Sequence, residues 1–253
     1  MPFWKIERIG LSKIIQLLSR GVEIIILEGF VSRLTVHEIV SYSRKALSSQ
    51  FILHDFFEPA FYPVSLFYLG ILTLKDEFAW TIPDLSMKEM GVEYFNDIFR
   101  MDVGLEKYEQ MMMEFVSHPD LPWLFSEYWR LYIGQLPESV FMQVNENFYR
   151  TTFYELWSRY LSPWFTWNVE RSYPEGRSDL EFVGKFNERF AGLRWIIEFK
   201  YYSRAEFSRF NKTPETFELQ PEHEQQVQGY GKGLSRNIHR WISGCLWFIV
   251  LVT

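Results

Sequence analysis

The sequence predicts an α/β fold of mixed α+β type for the C-terminal part of the chain, preceded by a mostly helical domain with a small β-hairpin. The first half contains several segments with apolar residues at helical spacing, whereas the second half contains hydrophobic runs of strand length between two helices. This change occurs near residues 134–137. We therefore predict two domains, residues 1–136 and residues 137–253.

Apolar residues three and four positions apart indicate most elements of the first domain. The first predicted helix ends at Gly21, a residue that commonly caps helix C-termini. The predicted helices of this domain are 12–20, 35–47, 87–99, 105–116 and 122–133. Two short apolar runs flank residues 75–77 and predict a β-hairpin. Nothing in this half carries recognisable chemistry.

The second domain is predicted to begin with one long helix, residues 139–160. Three runs of strand length follow it, and a further helix separates them from a last strand. The predicted strands are 164–169, 178–183, 194–200 and 245–252, and the second helix is 222–234. Helix, three strands, helix and strand is a layout typical of a central sheet covered by helices.

The net charge of −6 does not by itself suggest a nucleic-acid-binding protein. The charge is unevenly distributed, because residues 1–140 carry 12 basic and 19 acidic side chains and residues 141–253 carry 14 and 13. The two halves therefore have net charges of −7 and +1. A local phosphate-binding face in the second half is compatible with this distribution but is not required by it.

The single cysteine, Cys245, excludes an internal disulfide and a cysteine-rich zinc site. The first ten residues lack the uninterrupted apolar core of a secretory signal. The longest apolar run, residues 241–252, is interrupted by Ser243 and Gly244 and is too short to span a bilayer. These features predict an intracellular, cytoplasmic protein that does not associate with a membrane.

Charged residues alternate with apolar residues on two of the predicted strands. On strand 194–200, Glu198 and Lys200 share a face, and on strand 178–183 Asp179 and Glu181 share a face. If the two strands pair antiparallel, Asp179 and Glu198 converge. Two carboxylates suit Mg²⁺, which also binds phosphate oxygens, and a neighbouring lysine can orient a water molecule or offset phosphate charge. An ion-paired edge strand, with Lys200 balancing Glu198, is the alternative interpretation.

Four short motifs resemble the PD-(D/E)xK nuclease superfamily: NENFY (145–149), GRSDL (176–180), IIEFK (196–200) and EQQVQGY (224–230). They are most similar to the nuclease region at the C-terminus of AAA-ATPase-like, DUF1703-type proteins. The segment FYPVSLFYLGILTL (61–74) is similar to the helical region between ATPase and nuclease in those proteins. The resemblance implies a restriction-endonuclease-like central mixed sheet flanked by helices.

The resemblance also implies a site and a reaction. Asp179 and Glu198 correspond to metal ligands, with the backbone carbonyl of Phe199 as a third ligand, and Lys200 corresponds to the catalytic lysine. Gln226 and Glu146 match a glutamine and a helix acid near the active site. The implied activity is Mg²⁺- or Mn²⁺-dependent hydrolysis of a nucleic acid, with DNA as the first expectation. The implied alternative is a catalytically silent nuclease fold that acts as a protein-interaction module or as the partner of an ATPase.

Some assignments remain open. Glu155 shares the apolar stripe of the long helix, so it competes with Glu146 as the helix acid. Arg177, Arg204 and His223 are candidates for substrate phosphate contacts, and the alternative for each is an ordinary surface residue.

Two features depart from the resembled family. Ser178 stands where the superfamily motif has proline. The phosphate-binding motif G-x-x-x-x-G-K-[ST] does not occur, so an ATPase domain missing from this chain is a candidate partner and ATP-driven activity is not assigned.

Overall fold

The computed structural model describes residues 24–42, 55, 58–141, 143–174, 176–202, 209, 221–230, 237–243 and 246–252. They fall into two compact units. The first lies within Met1–Met101 and Pro137–Val144, and the second within Asp102–Leu136 and Asn145–Thr253. This division differs from the predicted single boundary at residue 136. Residues 102–136 group with the second unit, and residues 137–144 group with the first.

The described part of the first unit contains helices α1 to α3 and a three-stranded antiparallel sheet in the order β1-β3-β2. The elements are α1 Ile24–His37, β1 Ile39–Ser41, α2 Tyr62–Tyr68, β2 Thr73–Leu74, β3 Ala79–Thr81 and α3 Leu85–Ile98. A one-turn helix, Glu138–Phe141, also belongs to this unit. The pair β2–β3 confirms the predicted hairpin around residues 75–77.

The predicted helix at 35–47 is wrong, because α1 ends at His37 and Ile39–Ser41 forms a strand. Glu38 between them has a φ of 56°, which turns the backbone out of the helix. The strand pairs with Ala79–Thr81, so hydrogen bonds to a distant segment override the local helical spacing. The predicted helix at 12–20 lies outside the described residues.

The second unit contains helices α4 to α7 and a five-stranded sheet in the order β4-β7-β8-β10-β9. Its helices are α4 Leu105–Ser117, α5 Leu121–Leu131, α6 Glu146–Leu161 and α7 Pro221–Tyr230. The sheet strands are β4 Phe165–Val169, β7 Leu180–Gly184, β8 Arg194–Tyr201, β9 Asn237–Ser243 and β10 Leu246–Val252. A small hairpin joins β5 Ser172–Tyr173 to β6 Gly176–Arg177.

The predicted mixed α/β fold is therefore confirmed, although neighbouring strands in the described sheet are all antiparallel. Strand β9 was not predicted. The predicted helix 139–160 is divided in two, because the side chain of Asn145 caps a new helix by accepting a hydrogen bond from Phe148 N–H at 3.0 Å. Glu146 is consequently the first residue of α6.

Aromatic packing explains why residues 102–136 belong to the second unit. Phe115 of α4 packs on Trp195, and Phe125 of α5 packs on Phe199, with ring centroids 5.9 and 6.2 Å apart. Phe153 of α6 lies 6.0 Å from the same Phe199 ring. Helices α4 to α6 thus cover the apolar face of β8. Among the described residues, no helix is long and apolar enough to cross a membrane.

Candidate active site

The centre of the site lies where β7 begins and β8 ends. The antiparallel register pairs Leu180 with Ile197, which brings the preceding Asp179 level with Glu198. Phe199 N–H donates a hydrogen bond to Asp179 Oδ2 at 2.9 Å. The strand pairing and this hydrogen bond together hold the Asp179 carboxylate beside the strand that carries Glu198 and Lys200.

Glu198 is a buried carboxylate whose two oxygens differ in their surroundings. Oε1 accepts hydrogen bonds from Lys200 Nζ at 2.7 Å and from Gln226 Nε2 at 3.0 Å. Oε2 is buried and has no hydrogen-bond partner among the described residues. A buried oxygen that lacks a partner carries a desolvation cost, so it is a natural acceptor for a cation or a water molecule.

Helix α7 brings Gln226 and Tyr230 to the site, four residues apart on one face. Gln226 Nε2 lies 2.5 Å from the Tyr230 hydroxyl, which donates to the carbonyl oxygen of Arg177 at 2.8 Å. A continuous set of hydrogen bonds therefore joins Glu198, α7 and the segment just before Asp179.

Helix α6 contributes Glu146 from its first turn. Glu146 Oε2 accepts a hydrogen bond from the backbone N–H of Tyr201 at 3.2 Å, next to Lys200. Glu155, the competing helix acid, forms an ion pair with Arg159 one turn further along. The structure thus places Glu146, and not Glu155, among the residues of the site.

Arg150 is a site neighbour that was not predicted. Its Nη1 atom lies 3.3 Å from Asp179 Oδ1 and 3.0 Å from Glu170 Oε1, and 12% of its side chain is exposed. Arg150 follows Glu146 by four residues, so helical spacing could have identified it. Tyr230 was also not predicted as a site residue, although it follows Gln226 by the same four residues.

Of the three predicted phosphate contacts, Arg177 is the one whose side chain is described, and it lies less centrally in the site. Arg177 is 61% exposed and forms an ion pair with Glu170 at 3.4 Å. Arg204 lies outside the described residues, as does the side chain of His223. Glu181, which shares a strand face with Asp179, is fully buried and forms ion pairs with Arg171 and Arg194.

Burial and like charges alter the protonation of the site. Burial, followed by the charge of Asp179, raises the pKa of Glu198 to about 7, although Lys200 opposes the shift. Burial also raises the pKa of Glu146, with Lys200 acting against it and Asp179 adding to it. Burial favours a lower pKa for Lys200, but Glu198, Glu146 and Asp179 together raise it above its ordinary value. Lys200 is therefore a cation at neutral pH.

The donor set fits a hard divalent cation. Asp179 and Glu198 supply carboxylate oxygens, including the buried Glu198 Oε2. The N–H of Phe199 is directed to Asp179, and in a strand the carbonyl of the same residue lies on the same edge. Within the described part of the chain, no three His, Cys, Asp or Glu side chains stand together at metal-binding geometry. Two carboxylates with water are typical of Mg²⁺, which keeps several of its waters.

Comparison with known proteins finds one similarity for this region. Residues 144–245 match the family model of the PD-(D/E)XK nuclease superfamily. This part of the chain is similar to that superfamily. The match contains α6, the two strands of the site, and α7 with Gln226. No curated protein and no solved structure is similar enough to the chain to count as a match. This similarity supports a nuclease function in general terms.

The raised pKa of Glu198 predicts a pH-dependent stability in the absence of divalent metal. Because the folded state binds this proton more tightly than the unfolded state, the free energy of unfolding falls as the pH rises from about 4.5 to about 7. In EDTA, the midpoint of thermal unfolding of wild type should fall by a few degrees relative to that of Glu198→Gln as the pH rises across this range. One kcal/mol of stability corresponds to about 2–4 °C in this midpoint. Parallel curves for the two proteins would contradict the prediction.

Proposed function

We propose that the protein is a metal-dependent phosphodiesterase that cleaves nucleic acid, with DNA as the first substrate to test. The observation that carries this proposal is the convergence of Asp179, Glu198 and Lys200 at the paired ends of β7 and β8. These residues lie within the segment that matches the nuclease superfamily.

Asp179 and Glu198 would hold Mg²⁺ or Mn²⁺, with the carbonyl of Phe199 as a third ligand. The bound ion would activate a water molecule and offset the negative charge that develops on phosphate oxygens. The burial of Glu198 supports this role, since an unpaired carboxylate oxygen in a low-dielectric site gains most from a nearby cation.

Lys200 is proposed to stabilise the phosphate charge as a cation. Its pKa is raised by three carboxylates, so it carries a proton at neutral pH and is a poor base while those carboxylates are charged. At 2.7 Å from Glu198 Oε1, its ammonium group lies beside the proposed metal ligand. In this position Lys200 can contact a phosphate oxygen and orient the attacking water.

Gln226 and Glu146 are proposed to support the metal ligands. Gln226 fixes Oε1 of Glu198 by a hydrogen bond, which leaves Oε2 available to the cation. Glu146, anchored by Tyr201 N–H, adds negative charge at the end of β8 and can hold a metal-bound water. Arg177, Arg204 and His223 remain proposed phosphate contacts.

A cleavage panel tests the proposed function. The purified 253-residue chain is incubated with plasmid, linear duplex and single-stranded DNA, and with RNA, in Mg²⁺, Mn²⁺ or EDTA. We expect cleavage that requires the metal and disappears in Asp179→Ala, because that substitution removes a proposed ligand. Cleavage that survives Asp179→Ala would place the activity elsewhere or in a contaminant.

The same panel separates the alternative function. A calorimetric titration with Mn²⁺ reports whether the two carboxylates bind a cation at all. If the folded wild-type protein neither cleaves any substrate nor binds Mn²⁺, the catalytically silent interpretation holds, and the domain acts as an interaction module or an ATPase partner.

A further inference from the structure

A second cluster of charged residues lies on the same sheet face as the site. Glu181 pairs in register with Ile196, on the face that also carries Glu198. Its side chain is fully buried, and both its oxygens are ion-paired: Oε1 with Arg194 and Oε2 with Arg171, the latter at 2.8 Å. Asn168 adds a hydrogen bond at 3.4 Å.

The cluster contains one more cation than Glu181 requires. Arg194 is 22% exposed and already neutralises the carboxylate, whereas Arg171 is 45% exposed. The two guanidinium groups and one carboxylate leave a local charge of +1. Arg171 therefore presents donors to solvent from a position fixed by its bond to a buried group, which makes it better ordered than a typical surface arginine.

Tyr173 connects this cluster to the site. Its hydroxyl accepts a hydrogen bond from Arg194 Nη2 at 2.8 Å, and the Arg171 guanidinium lies 5.7 Å from the centre of its ring. The Tyr173 ring stacks on Tyr230 at 4.9 Å, and Tyr230 bonds to Gln226, which contacts Glu198. The two clusters are thus joined by direct side-chain contacts.

The spacing suits a polymeric substrate. Arg194 precedes Glu198 by four residues on β8, which corresponds to about 13 Å at about 3.3 Å per residue. Nucleic-acid duplexes rise about 3.4 Å per base step, so this distance spans up to about four steps. A phosphate held by the arginines would therefore be a different phosphate from the one whose bond is cleaved.

We propose that Arg171 and Arg194, supported by Glu181 and Tyr173, form a phosphate subsite that binds the substrate strand a few nucleotides from the scissile phosphodiester. This inference rests on the proposed nuclease function and adds to it a subsite that only a substrate of several nucleotides can reach. The excess positive charge and the exposed donors of Arg171 match one phosphate monoanion.

The test compares a polymeric substrate with a small one. Arg171→Gln, Arg171→Lys and wild type are assayed in Mn²⁺ on a DNA oligonucleotide of about twelve residues and on bis(p-nitrophenyl) phosphate, which occupies only the metal site. We expect Arg171→Gln to raise KM for the oligonucleotide by roughly five- to tenfold and to lower the slope of log KM against log salt by about 1, with kcat little changed. Hydrolysis of the small diester should be unchanged, and Arg171→Lys should recover part of the loss.

Arg130→Gln is the matched control, because Arg130 is also an exposed arginine paired with a carboxylate, Glu127, in the same unit. Equal KM values for wild type and Arg171→Gln on the oligonucleotide would overturn the subsite and leave the nuclease function intact. Equal losses on both substrates, or in Arg130→Gln, would also overturn it, because they indicate a structural or general charge effect. A wild-type protein that cleaves neither substrate would overturn the nuclease function, and the subsite with it.

Discussion

Lys200→Ala is expected to lower the rate of metal-dependent cleavage by about a thousandfold while leaving a folded protein that still binds Mn²⁺. Removing one preorganised donor to a developing negative charge typically costs about a hundred- to a thousandfold in kcat, and loss of water orientation adds to this. Lys200 is 17% exposed and contacts Glu198 directly. Solvent therefore cannot substitute for the positive charge of its ammonium group. Single-turnover cleavage of a labelled DNA substrate measures the effect.

The pH of this experiment matters, because Lys200 opposes the upward shift of the Glu198 pKa. Without the lysine, Glu198 holds its proton to a higher pH and binds the cation less well at neutral pH. Assays at about pH 8.5 with saturating Mn²⁺ separate the loss of catalysis from this loss of metal affinity. Lys185→Ala is the control, since Lys185 is an exposed lysine of the same unit whose side chain bonds to the backbone carbonyl of Ser162 and to no described carboxylate. Wild-type rates in Lys200→Ala would contradict the assigned role.

Gly184→Ala is expected to reduce the stability of the second unit severely, by about 3 kcal/mol or more. Gly184 ends β7, and a Cβ atom there would lie 1.7 Å from the carbonyl oxygen of Phe190 and 2.4 Å from its carbonyl carbon. Both atoms belong to the backbone, so no side-chain rotation relieves the overlap. Gly184 N–H also donates to Leu193 O at 2.8 Å, which closes the turn between the two site strands.

The unfolding midpoint, measured by circular dichroism or differential scanning fluorimetry, should fall by roughly 6 °C or more. Gly134→Ala is the matched control, because its Cβ would meet only the carbonyl oxygen of Trp129 at an ordinary 3.5 Å. That variant should unfold within a degree or two of wild type, or slightly higher. If Gly184→Ala unfolds at the wild-type temperature, the turn must be looser than this structure shows.

The local sequence pattern was sufficient to predict which side chains share a face on the central strands of the site. The alternation on residues 194–200 places Glu198 and Lys200 on one face, and the observed pairing of Leu180 with Ile197 brings Asp179 level with Glu198. The strand period of two is a property of the backbone, so it can be read without knowing the surroundings. The mixed α/β class follows from the same patterns.

Local pattern failed where distant segments decide the conformation. Ile39–Ser41 has apolar spacing that suits a helix, yet it pairs with a strand forty residues away in the sequence. The long helix predicted at 139–160 is interrupted because Asn145 offers a cap and a new helix begins. The packing of Phe115 and Phe125 on β8 assigns α4 and α5 to the second unit. The sequences of those two helices do not predict this packing.

The types and the spacing of the candidate site residues can be read from the sequence alone, and with them the resemblance to the nuclease superfamily. By contrast, three-dimensional packing brings Glu146 and not Glu155 next to Lys200, pairs Arg150 with Asp179, and places Glu181 in a separate arginine cluster. The reason is physical: alternation and helical period fix which side chains share a face of one element. Which charged groups meet across two elements depends on register, burial and helix placement, and these are set by packing over the whole unit.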